Sequence, residues 1–308
     1  IAPASPGRWL LKLDKWATFR QAGAIGDGIT VAGNRERIQA ALDATVSVHD
    51  ITGENNPVPS FRLRAGAGTF LIDGRLLATK NNICIDGEGE GNTFIKCANT
   101  VVINEIIRFR EAYWCELNDI TIDGGLPFRA TRTETYGADI GIKWDQAAYF
   151  RSRNCTVQNV RITAREATHL WESWFNNSSS LSCGWFATAE RFGGDWNFTG
   201  QRKESTTFPG AESNEIYVDK HSSNCIGSLV ICDGSAAPVS NFKITELIGE
   251  GRTYTSDMPG LHQDYIYISG MSNGINISGY CYAHAQTFTG DAAYINFFNS
   301  GIGCEINL

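Results

Sequence analysis

Between positions 171 and 196 the chain places Trp171, Trp174, Trp185 and Trp196, four of its eight tryptophans. Glu172, Glu190, Arg191 and Asp195 stand among them, with Phe175, Phe186 and Phe192 close by. Aromatic surfaces flanked by carboxylates and guanidinium groups suit sugar rings, whose C–H faces stack and whose hydroxyls take hydrogen bonds. The competing reading is that several of these rings fill a core. In His169-Leu170-Trp171-Glu172-Ser173-Trp174, alternation cannot turn every ring inward, so one or two are expected at the surface.

Downstream, Ile216-Tyr217-Val218-Asp219-Lys220-His221 alternates apolar and polar. A strand here points Ile216 and Val218 inward and leaves Tyr217, Asp219 and His221 outward. Glycoside hydrolysis needs two carboxylates, one protonated as acid and one ionised as base or nucleophile. Glu172 and Asp219 are the preferred pair, with Asp195 or Glu190 assisting. Trp171, Trp174, Trp185, Trp196, Arg191, Tyr217 and His221 are expected to hold the substrate. A lyase instead needs a base at the α-carbon of a uronic acid and a group that neutralises its carboxylate. Lys220, His221, Tyr217 and Arg191 keep that reading open, as they do a binding groove without catalysis.

The elements that position these residues are short strands. From residue 80 onward, Asn-led runs recur, such as Asn82-Ile-Cys-Ile, Asn118-Asp-Ile-Thr-Ile, Asn154-Cys-Thr-Val, Asn214-Glu-Ile-Tyr-Val, Asn241-Phe-Lys-Ile and Asn273-Gly-Ile-Asn-Ile. Their spacing falls in the solenoid range. Strands this short bury their apolar face only by stacking coil upon coil. Asn at the strand starts suits bends, where its side chain bonds neighbouring backbone, as in a stacked ladder. A β-sandwich is the structural alternative. It predicts hairpin turns such as Asn-Gly, and Asn273-Gly274 offers one. Stretches near 124–138, 188–213 and 251–264 break the rhythm and read as loop excursions, where function concentrates.

Upstream lies Ala22-Gly23-Ala24-Ile25-Gly26-Asp27-Gly28-Ile29-Thr30, followed by a helical pattern with Ile38, Ala41, Leu42 and Val46 on one face and Asn34 at the N-cap. A nucleotide-binding reading of the glycines fails. The spacing is wrong, no lysine follows, and no alternation of strands and helices surrounds it.

Together with Ile38-Gln39-Ala40-Ala41, Gly66-Ala67-Gly68-Thr69-Phe70-Leu71-Ile72 and Gly87-Glu88-Gly89-Glu90-Gly91-Asn92-Thr93-Phe94-Ile95, this stretch resembles the N-terminal signature of the pectate-lyase-superfamily parallel β-helix found in bacteriophage tailspikes. The likeness covers roughly residues 8–97. It departs where Val31-Ala32-Gly33-Asn34 stands in place of the usual Asp-Asp-Thr. The resemblance implies an all-β, right-handed, single-stranded parallel β-helix with a short N-terminal capping helix. Residues 1–22 would form a neck strand, 23–60 the glycine turn and helix, and 61–308 the β-helix. It further implies a tailspike depolymerase, homotrimeric, located in the virion tail and assembled in the host cytoplasm. Its partners would be a bacterial surface polysaccharide and, through a preceding region, other tail proteins. No cofactor is expected. The Asn-Thr-Asp, Asp-Asp and Gly-His-Gly pattern of polygalacturonases does not occur. The chain ends within a rung pattern, which reads as part of a longer protein.

Composition agrees with such a fold. The chain has 308 residues, 32 glycines and only 8 prolines, which fits many tight corners. A formal charge of −7 argues against non-specific nucleic-acid binding. No apolar run approaches bilayer length, so no membrane insertion is expected. The nine cysteines form no CxxC pair and lie mostly in apolar strand patterns, which predicts buried free thiols rather than zinc ligands or disulfides. No dense Asp cluster suggests a calcium site.

Overall fold

A computed structural model describes residues 16–44, 61–127, 134–181, 183, 196–199, 213–224, 230–250, 266–282, 295–298 and 303–307. One helix, Asn34–Ala44, is followed by parallel strands that pair coil to coil. The architecture is a right-handed parallel β-helix.

Three strand stacks form its walls. One stack comprises Leu76–Ala78, Val102–Arg110, Gly137–Asp145, Thr163–Ala167, Trp196–Thr199, the start of Val230–Glu250, Ile266–Asn273 and Ile295–Phe298. The other two are the halves of longer strands bent at a corner: Glu116–Asp123, Arg151–Gln158, Leu170–Leu181, Ser213–Asn224 and the second half of Val230–Glu250. The expected excursion near 188–213 therefore contains Trp196–Thr199, a strand of the first stack. Residues 128–133 and 251–264 fall outside the described residues.

Among the described residues an inward row runs from coil to coil, apolar except at Ser152, which stands between Leu117 and Phe175. Ile85, Leu117, Phe175, Val218 and Ile244 are all at most 1% exposed. Trp144 lies edge-on to Phe150 and Phe175 at 5.3 Å each, so an aromatic plug fills the middle coils.

The N-terminal signature acquires a physical reason at each residue. Asp27 Oδ1 accepts from the Ile29 and Thr30 amides at 2.9 and 2.7 Å, and Oδ2 accepts from the Thr30 hydroxyl at 2.7 Å. These bonds close the turn and hold the Asp27 carboxyl below its ordinary range. Gly26 lies under Phe70, where a Cβ would come within 2.9 Å of Cζ. Gly68, at φ +137°, lies against Gly26, and a Cβ there would stand 2.4 Å from the Gly26 carbonyl oxygen.

In the helix, Gln39 accepts from the Leu77 amide at 2.8 Å and donates to the Leu77 carbonyl at 2.9 Å. One amide side chain thus satisfies the edge strand Leu76–Ala78 as a preceding coil would. Asn34 is not used as an N-cap. Its side chain is fully buried, accepts from the Ile25 amide and donates to the Ile25 and Thr30 carbonyls, all at 2.8 Å, tying the helix to the glycine turn. Ile38, Ala41 and Leu42 are buried as expected, and Val46 lies outside the described residues.

Candidate functional site on one corner of the helix

From Asn82 onward the described coils turn one corner through a single residue in the left-handed backbone region. In register from coil to coil these are Asn82, Trp114, Tyr149, Glu172, Glu215 and Asn241, continued by Gly274 and Gly303. Asn and Gly enter this region at little cost, whereas other residues give up about 1–2 kcal/mol. The ends of the column obey that rule and its middle does not. Trp114, Tyr149, Glu172 and Glu215 have φ of 55°, 56°, 42° and 57°. Left-handed residues other than Asn and Gly also occur at Glu111, Asp119, Gln146 and Lys220, but four stand together in this column, and clustered backbone strain is a recognised mark of function. Here it presents two aromatic rings and two carboxylates along one ridge.

A second corner follows the same geometry with Asp119, Asn154, Asn177 and Lys220, φ 48–60°. Asn154 donates to Asp119 Oδ1 and Asn177 donates to Asn154 Oδ1, both at 2.7 Å. The stacked ladder read from the Asn-led runs is present here between side chains.

Between the corners lies a four-residue strip with two outward rows. The first row runs Glu116, Arg151, Trp174, Tyr217, Lys243 and the second Asn118, Arg153, Asn176, Asp219, Thr245. Trp174 and Tyr217 are each 40% exposed, and their rings are near parallel at 6.2 Å. The Arg151 guanidinium sits 5.6 Å from the Trp174 centroid on the neighbouring coil. Trp174 is therefore sandwiched along the helix axis and offers solvent its edge. On the ridge, Trp114 and Tyr149 stack at 4.9 Å with planes 2° apart.

Asp219 is exposed and accepts from Thr245 Oγ1 at 2.8 Å and from Asn176 Nδ2 at 3.4 Å. The strands of Glu172 and Asp219 are adjacent coils, yet Glu172 faces Glu215, one position after the paired Trp171 and Asn214. Asp219 is in register with Asn176 instead, four positions further along the strand. Four residues of strand span about 13 Å, against about 4.8 Å between neighbouring coils. The register brings Glu172 and Glu215 together and sets Asp219 apart.

His221 corrects the outward assignment. It is fully buried, and its Nδ1 lies 2.7 Å from Ser178 Oγ. The left-handed residue Lys220 consumes one position at the corner, so the alternation that exposes Asp219 exposes Lys220 too and turns His221 into the lumen. Near the ridge, Trp171 is half-buried and packs on His169, ring centroids 4.4 Å apart. His169 Nδ1 and Trp171 Nε1 are buried with no hydrogen-bond partner among the described residues. Burial pushes His169 below its ordinary pKa, against the pull of Asp145.

Trp185, Glu190, Arg191 and Asp195 lie outside the described residues. The backbone of Trp196 pairs with Arg165 and Val230 in the first stack. Sequence reasoning missed Glu215, Arg151, Trp114 and Tyr149. The signal was available for Glu215: Asn214-Glu215-Ile216 parallels Asn118-Asp119-Ile120, where the residue after Asn turns a corner. Among the described residues no group of three or more His, Cys, Asp or Glu side chains is arranged to hold a metal ion. No described helix is long and apolar enough to cross a membrane.

No protein-family model and no curated protein sequence matches the chain. Among solved structures, ORF18 of Geobacillus virus E2 aligns at 13% identity and TM-score 0.46, over 93% of this chain and 61% of that protein. The chain thus spans under two thirds of the phage protein's length. An alginate lyase from a Paenibacillus species aligns at 11% identity and TM-score 0.44, over 89% and 95% of the two chains. Carrot pectin methylesterase aligns at 12% identity and TM-score 0.38, over 87% and 79%.

Proposed function

We propose that this chain is a polysaccharide depolymerase of the phage tailspike kind, acting on a bacterial surface polysaccharide by glycoside hydrolysis. The observation that carries the reading is the strained ridge. Over successive coils, left-handed positions that Asn or Gly would fill cheaply hold Trp114, Tyr149, Glu172 and Glu215 instead. The exposed strip beside it, with Arg151, Trp174 and Tyr217, supplies the ring edges and donors that a sugar polymer needs. The N-terminal signature adds the tailspike resemblance, and with it the proposed trimer and virion location.

In this mechanism Glu172 and a second carboxylate flank the scissile bond. The register favours Glu215 as that partner, because neighbouring coils stand about 4.8 Å apart and a nucleophile–acid pair needs about 5–5.5 Å. One carboxyl protonates the leaving oxygen while the other attacks the anomeric carbon. Water then releases the glycosyl–enzyme intermediate with the first group as base. Asp219, held by Thr245, contacts substrate hydroxyls on the far side of the strip. Glu190, Asp195, Arg191, Trp185 and Trp196 are proposed to act from the segment that follows residue 183.

A non-catalytic adhesin that uses the same strip is the second reading, favoured by the sandwiched geometry of Trp174, which suits static contact. Incubation with purified capsule or O-antigen separates them: a depolymerase shortens the chain, whereas an adhesin binds it intact.

A further inference from the structure

Beyond the second corner the surface opens into a groove of about 420 Å³, lined by Thr245, Glu246, Leu247, Ile248, Ser278, Gly279 and Tyr280. That volume lies within the range of small-ligand sites, roughly 300–1,000 Å³. Tyr280 is 70% exposed and Ile248 37%, so two large apolar side chains stand at its rim without a covering element among the described residues. The groove joins the strip directly, because Thr245 Oγ1 donates to Asp219 Oδ1 at 2.8 Å.

The directions of the hydroxyl groups determine what the groove can accept. The Thr245 hydrogen is committed to Asp219, and Ser278 Oγ donates to the Thr245 carbonyl at 2.9 Å. Both oxygens keep only acceptor capacity, and the Glu246 carboxylate adds more. Among the described residues no basic side chain lines the groove. Lys220 stands opposite Glu246 on the preceding coil, since Val218 and His221 pair with Ile244 and Leu247. A row of acceptors calls for donors, and sugar hydroxyls are donors. A uronate carboxylate is all acceptor and would meet Glu246 and the neighbouring Asp219, with the Tyr280 hydroxyl the one remaining side-chain donor among the described lining residues.

We infer that this groove is a distal subsite that takes an uncharged sugar residue of the polymer, with Tyr280 and Ile248 against its C–H face and Glu246 accepting from its hydroxyls. This rests on the depolymerase reading and deepens it. The subsite begins at Thr245, about 13 Å along the strand from the ridge column, and follows the wall round the second corner at Glu246. A polymer that fills both is held across several sugars, as an endo-acting enzyme requires. An uncharged distal residue also weighs against a uronic-acid lyase.

The test uses the full chain with immobilised bacterial capsular and O-antigen polysaccharides, one set neutral and one bearing uronic acids. Tyr280→Ala and Glu246→Gln are compared with Trp174→Ala. The proposal expects neutral polymers to bind more tightly than uronic-acid polymers. It also expects Tyr280→Ala to weaken that binding about five- to tenfold, the worth of one aromatic contact, with an unchanged circular dichroism spectrum. Preference for the anionic set overturns it, as does full binding by Tyr280→Ala. If Trp174→Ala loses binding while Tyr280→Ala and Glu246→Gln keep it, the subsite falls and the depolymerase reading stands. Binding to neither set overturns both.

Discussion

Glu172 and Glu215 occupy the same left-handed corner of successive coils, at φ 42° and 57°, with their strands in parallel register. Nothing in strand alternation requires glutamate there, and Asn241 shows what the next coil uses for the same bend. If the pair performs the chemistry, Glu172→Gln and Glu215→Gln should each lower kcat by about 10²–10⁴-fold on the cleaved polysaccharide. Asp219→Asn should chiefly raise KM, by roughly tenfold or less. Equal loss of kcat in Asp219→Asn and retention in Glu215→Gln would move the second carboxylate to Asp219.

Gly68→Ala tests the N-terminal cap. The substitution forces an L side chain into φ +137° and sets its Cβ 2.4 Å from the Gly26 carbonyl oxygen. Strain and overpacking together should destabilise the chain by roughly 2–6 kcal/mol. Urea unfolding checks this, and a loss under 1 kcal/mol would mean the turn relaxes freely.

The N-terminal cap was the part of the fold most legible in the sequence. Asp27, Gly26, Gln39 and Phe70 each meet a local demand, so their types and spacing carry the information. The Asn-led runs likewise betrayed the corners, because Asn tolerates the left-handed region. Two things were hidden for the same physical reason. A corner consumes one residue without alternation, so His221 was assigned to the wrong side of the wall once Lys220 was counted as ordinary strand. The same count decides which residue faces Glu172 on the next coil. Adjacency of the two strands could be read from the sequence, but their register depends on where the 184–212 segment returns.

His169 sets a pH dependence. Burial holds its folded pKa below the ordinary 6.5, so between the two values the unfolded chain binds more protons. Stability must therefore rise with pH through that window and fall as pH drops below about 6.5. Denaturation series from pH 5 to pH 8 should show this slope, and His169→Gln should flatten it. An unchanged slope in the variant would assign the dependence to other groups.

The cysteines give a chemical check on the lumen. Burial pushes the Cys97 and Cys115 thiols up to about 12 and Cys155 up to about 11. Thiolate, the reactive form, is then scarce at pH 8. Alkylation of the native protein followed by peptide mapping should leave these three unmodified, while half-buried Cys304 reacts sooner. Rapid labelling of Cys155 under native conditions would contradict a closed lumen.

The most direct measurement is the chain length of purified bacterial surface polysaccharide after incubation with this protein and with Glu172→Gln, with ultraviolet absorbance followed in parallel. Hydrolysis at the ridge predicts progressive shortening by the unaltered chain, none by the variant, and no new absorbance from unsaturated ends. Shortening that survives Glu172→Gln, or that comes with new ultraviolet absorbance, would contradict it.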